Sequence, residues 1–122
     1  MHGLHLTADL YHCACDAALL RQAPRIAALC RAQVQANGLT VVGEHWHTFP
    51  GPGGVTGSLL LAESHVALHT WPETGSVTLD VYVCNYGRDN SAQARALMAC
   101  LVAAYRPQHT EEHALVRGTR PA

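Results

Sequence analysis

The side chains able to do chemistry crowd into one stretch: Glu63, Ser64, His65, His69, Trp71 and Glu73 stand close together, with Asp80 and Cys84 soon after. This set offers nucleophiles, proton donors and proton acceptors, and histidine moves protons most readily near neutral pH. The chain holds nine histidines. Its eight basic residues are all Arg, with no Lys at any position. A P-loop phosphate site and a lysine-held pyridoxal phosphate are thereby excluded, because both need that amine. Chemistry on an amine or amino acid would have to draw its electrophile from elsewhere.

The chain that must position these groups has 122 residues, 48% of them apolar and 14% charged, with a formal net charge of −1. That length and balance predict one domain over residues 1–122 around one hydrophobic core. The basic excess of a nucleic-acid binder is lacking. No apolar stretch approaches the roughly 18 to 20 residues that span a bilayer, so no membrane partner is expected. Five cysteines, an odd number, follow an N-terminus without the pattern of a signal peptide, which predicts a reducing, cytoplasmic setting.

Alternation of apolar and polar residues predicts a half-buried strand over Leu4 to Leu10. Asp16 can cap a following helix, which Pro24 divides, and Ile26, Leu29, Cys30 and Val34 make an apolar stripe that ends at Asn37-Gly38. A strand is expected from Thr40 to Phe49, then a loop at Pro50 to Gly54, then extended chain from Val55 through Trp71. From Val77 to Cys84 the alternation is regular: Val77, Leu79, Val81 and Val83 face one way, while Thr78, Asp80, Tyr82 and Cys84 face the other. Asp89-Asn90 can start a last helix carrying Ala94, Leu97, Met98, Leu101, Val102 and Tyr105, which Pro107 stops. A short final strand is expected over His113 to Val116. The order predicts an α+β two-layer sandwich, with two helices on one face of a mainly antiparallel sheet. The polar sheet face would be covered by stacking two such sheets in a homodimer.

The run LLLAESHVALHTWPE, preceded by GGVTG and followed by LDVYVC, resembles the bacterial and archaeal S-adenosylmethionine decarboxylase proenzymes. The similarity covers nearly the whole chain, from LHLTADLYHC to the closing Arg117-Gly118. It implies a two-layer sandwich whose dimer stacks its sheets, and it offers an answer to the missing lysine. In that family a serine hydroxyl, here Ser64, attacks the carbonyl of the preceding residue, here Glu63, and turns the peptide into an ester. Elimination breaks the chain between 63 and 64, and hydrolysis leaves a pyruvoyl group at the new terminus. That cofactor, formed from Ser64, captures the substrate amine as a Schiff base and serves as the electron sink that pyridoxal phosphate supplies elsewhere.

The resemblance further implies that His69 removes the Ser64 Cα proton and that Thr56 lends a hydroxyl to processing. Cys84 would return a proton to the substrate carbon, Phe49 would stack on adenine, and Glu73 would bind the ribose hydroxyls. His65 is expected to shape the turn at Ser64. Ser64 and His69 stand five residues apart, which in a regular strand sends them to opposite faces, so a bend at Ser64 is expected to bring them together.

The implied small-molecule substrate is S-adenosylmethionine, decarboxylated to the aminopropyl donor for spermidine. A decarboxylase of the same fold acting on arginine or ornithine is the alternative, since fold does not determine the substrate; the aromatic Phe49 favours the adenosyl compound. A non-enzymatic dimer that binds a metal or other ligand is a second alternative. His12, Cys13 and Cys15, or His45 and His47, invite it, but their spacing is not that of a structural zinc site, and no metal is expected. Cys30 and Cys100 fall on apolar helix stripes and are expected in the core.

Overall fold

The alternating valines and leucines do gather a sheet, seen in a computed structural model that describes residues 2–118. Its elements are β1 (Gly3–Cys13), α1 (Ala18–Arg21), α2 (Ala23–Ala36), β2 (Val41–Thr48), β3 (Val55–Leu61), β4 (Ser64–Trp71), β5 (Ser76–Cys84), α3 (Ser91–Tyr105) and β6 (Pro107–Arg117). The strands form one antiparallel sheet in the order β2-β3-β4-β5-β1-β6. This is the expected α+β sandwich, with α1 as a single extra turn. Pro24 sits in the first turn of α2, where its missing N–H costs nothing, and the chain breaks just before it at Gln22.

The inward face of the sheet carries Leu6, Leu10, Leu59, Val66, Leu68, Leu79 and Val81, all buried against Ile26, Val34, Leu97 and Leu101 of the helices. Each such side chain contributes about 1.5–3 kcal/mol by leaving water. Cys30 lies within this core, where burial pushes its thiol up to about 12. The opposite face bears His5, His65, His69, Thr78, Asp80, Tyr82 and Cys84, and no helix among the described residues packs on it.

Two boundaries differ from expectation. β1 reaches Cys13, and β6 begins directly at Pro107 instead of His113. The register explains both: β6 pairs with β1 from Cys13↔Pro107 to Gly3↔Arg117. Arg106, left-handed at φ 50, turns the chain from helix to strand in a single residue. Every residue of β6 from Glu111 to Arg117 is exposed, so an edge strand left no apolar alternation to read.

One buried hydroxyl ties the layers together. Thr70, only 4% exposed, accepts the Val55 N–H at 2.8 Å and donates to the Leu20 carbonyl at 2.7 Å, joining β3, β4 and α1. Thr70→Val keeps the shape but leaves a buried donor and a buried acceptor unpaired, at about 1–3 kcal/mol each. Urea unfolding should show the midpoint falling accordingly, and an unchanged midpoint would mean that water replaces both bonds.

Candidate active site

Ser64 opens β4 directly after the two-residue turn Ala62-Glu63 that joins it to β3. Its φ of 154° lies where L side chains rarely go, a strain of order 1–3 kcal/mol. The turn is clamped from outside. The Ala62 N–H donates to the Thr40 carbonyl at 2.9 Å, and the Thr40 N–H donates to Glu63 Oε1 at 3.0 Å. The Glu63 carbonyl, the bond that Ser64 would attack, accepts the Cys84 N–H at 2.7 Å. A carbonyl held by a fixed donor is polarised and ready to carry negative charge.

Ser64 Oγ lies 3.5 Å from His65 Nδ1. Burial, and secondarily the neighbouring His5, hold His65 below the usual histidine pKa, so the neutral ring can accept a proton. Beside it, His5 Nε2 meets Asp80 Oδ1 at 3.0 Å, and the Tyr82 ring packs against both imidazoles. His5 and Asp80 are a pair that no local spacing reveals, because they meet only through the β1–β5 ladder.

The other half of the candidate set lies at the far end of β4. Thr56 and His69 face one another across β3 and β4, and Thr56 Oγ1 hydrogen-bonds His69 Nδ1. In the tautomer whose Nδ1–H donates to the threonine, Nε2 is left as the acceptor that a base requires. Phe49, Gly54, Thr56, His69, Trp71 and Glu73 line an open cleft of about 350 Å³. Phe49 is 47% exposed, with its ring edge-on to His47. Gly54 is obligatory here, since a Cβ would stand 2.0 Å from the Thr70 carbonyl. Glu73 belongs to the turn between β4 and β5.

The bend at Ser64 therefore exists, but it does not bring Ser64 to His69. β4 stays in register with β5 from Ser64↔Val83 to Trp71↔Ser76. At about 3.3 Å per residue, five residues of strand separate the two by roughly 16 Å. The candidate residues thus fall into two groups on one chain: Glu63, Ser64 and Cys84 at one end of β4, and Thr56, His69, Phe49 and Glu73 at the other.

Residues 4–118 match the family model described as S-adenosylmethionine decarboxylase. The chain is 36% identical over 119 residues to the S-adenosylmethionine decarboxylase proenzyme of Persephonella marina, covering 98% of this chain and 84% of that one. The proenzyme of the same name from Aquifex aeolicus is 39% identical over 116 residues, covering 95% and 81%. The crystal structure of the adenosylmethionine decarboxylase from Aquifex aeolicus superposes with a TM-score of 0.86 at 34% identity, over 98% of this chain and 92% of that one. Sequence and fold agree throughout, and the chain belongs to the S-adenosylmethionine decarboxylase family.

Proposed function

We propose that this protein is a self-processing S-adenosylmethionine decarboxylase, producing the aminopropyl donor for spermidine, and that it works as a homodimer with each active site shared between two protomers. The observation that carries the reading is the split of the site along β4. An isologous pair stacked through the polar sheet faces sets the Ser64 end of one protomer on the His69 end of the other, so the four half-sites pair into two complete sites. The five cysteines, all free thiols, support a reducing, cytoplasmic setting.

Processing begins when Ser64 Oγ adds to the Glu63 carbonyl carbon while His65 takes the hydroxyl proton. The developing oxyanion rests on the Cys84 N–H, the peptide C–N bond breaks, and His65 passes the proton on to the released amine. The partner protomer's imidazole at position 69 then removes the Ser64 Cα proton, and Glu63 departs as a carboxylate. Water replaces the nitrogen at residue 64 and ammonia leaves. The strained Ser64 and the held Glu63 carbonyl fit formation of a pyruvoyl group at residue 64. That group supplies an electrophilic carbonyl, the sink for the electron pair left by carbon dioxide. Cys84, on the same face as Asp80 and Tyr82, holds the proton for the substrate carbon. Phe49 stacks on the adenine, and Glu73 takes the ribose hydroxyls at the rim of the cleft.

Carbon dioxide release from S-adenosylmethionine, arginine and ornithine in competition tests the substrate. The adenosyl compound should dominate. Phe49→Ala should lower its use by roughly 2 to 13-fold through stacking alone, from about 0.5–1.5 kcal/mol, and leave self-cleavage intact. Preferential release from arginine or ornithine would assign another substrate to the same fold.

A further inference from the structure

Cys84 is fixed on both sides of its α-carbon. Its N–H holds the Glu63 carbonyl, and its own carbonyl accepts Asn90 Nδ2 at 3.0 Å. Asn90 is 3% exposed, a burial unusual for a polar side chain outside a helix or strand. Its other amide atom is also taken, since Arg88 Nε donates to Asn90 Oδ1 at 2.8 Å. Arg88 reaches on through its second nitrogen to the Gly38 carbonyl at 3.1 Å. Gly38 stands two residues before Thr40, whose N–H grips the Glu63 carboxylate. The contacts close a ring around the scissile bond: Thr40, Glu63, Cys84, Asn90, Arg88, Gly38 and back along the chain to Thr40. The loop from Cys84 to α3 is secured independently, because the Asn85 N–H donates to the His2 carbonyl at 2.7 Å and Asn85 Oδ1 accepts the Asn90 N–H at 2.8 Å.

We propose that Asn90, held by Arg88, is a positioning residue for self-cleavage: by pinning the Cys84 main chain it keeps the Cys84 N–H aimed at the Glu63 carbonyl. The inference rests on the processing reaction set out above and names residues that act on its first step. In that step the Ser64 O–C bond forms, the Glu63 C–N bond breaks, and the proton moves from Ser64 Oγ to the departing nitrogen. The Cys84 N–H neutralises charge on the Glu63 oxygen only in transit. Asn90 touches none of the reacting atoms. Neither it nor Arg88 is marked by any local motif, since the ring joins segments far apart in the chain.

Asn90→Asp tests this with almost no change in shape. The Arg88 contact is kept, but an acceptor replaces the donor that faced the Cys84 carbonyl. Self-cleavage of freshly made protein, followed by denaturing mass spectrometry, should slow at least tenfold relative to the parent. The uncut chain should resist neutral hydroxylamine, because no ester has formed. His69→Ala should instead accumulate ester that hydroxylamine splits at 63–64. Arg88→Ala keeps the Asn90 donor but frees its far side, and should slow cleavage several-fold with the same resistance. Thermal melting of each change in a Ser64→Ala background separates positioning from collapse of the fold. Parent-like cleavage in both variants, or hydroxylamine-sensitive ester in either, overturns the proposal. A parent chain that never cleaves overturns the processing reaction itself.

Discussion

Replacing Ser64 by alanine should leave one intact chain of 122 residues and no decarboxylase activity. Without Oγ there is no acyl shift, hence no carbonyl group at residue 64. With no lysine anywhere in the chain, no other side chain can provide a covalent amine-capturing group of the pyridoxal phosphate kind. Turnover should fall to the uncatalysed background, a loss of at least about 10⁶-fold, the low end of enzymatic acceleration. The fold should survive. Alanine carries the same Cβ as serine, so the φ of 154° is no costlier, and the ring around Glu63 involves no atom of the Ser64 side chain. Denaturing mass spectrometry should find the single precursor mass. An active Ser64→Ala enzyme, or a wild type with two ordinary amino termini, would remove the pyruvoyl mechanism.

Mixing two dead proteins should restore a live one. Ser64→Ala lacks the nucleophile, and His69→Ala lacks the base. If the half-sites on β4 belong to different active sites, a mixed dimer has one site with both defects and one with neither. Random pairing makes about half the dimers mixed, each with one working site of two, so coexpression should recover about a quarter of wild-type activity. The cut should appear only in the His69→Ala chains, since only they carry Ser64. An active site confined to one protomer would give no recovery. That outcome would require the roughly 16 Å between Ser64 and His69 to close within a single chain.

Much of this arrangement was legible in the amino-acid order. Val77 to Cys84 alternates so regularly that the inward and outward faces of β5 follow residue by residue, and Asn37-Gly38 ends α2 as its turn chemistry requires. The long motif around Ser64 contains candidate residues from both ends of β4. What stayed hidden depends on partners distant in sequence. β6 carries no apolar alternation because its side chains from Glu111 onward are all exposed at an edge, and only pairing with β1 defines its length. Ser64 and His69 look like neighbours within one motif, yet a straight ladder keeps them apart. The His5–Asp80 contact spans 75 positions, and Asn90 resembles an ordinary helix start until its amide is found on the Cys84 carbonyl.

The strand order β2-β3-β4-β5-β1-β6 bears on what the proposed cleavage between 63 and 64 would make of the molecule. The leading piece would own β1, β2 and β3, and the trailing piece β4, β5 and β6. They would not lie side by side as two lobes. β1 of the leading piece is inserted between β5 and β6 of the trailing piece, bonded along both edges, while β3 is zipped to β4. Separating the products would mean tearing open the middle of the sheet and exposing Leu6, Ala8 and Leu10 to water. A subunit cut there would thus be an interlaced pair of polypeptides, held together without a covalent link, in which neither piece would retain a complete sheet or core of its own.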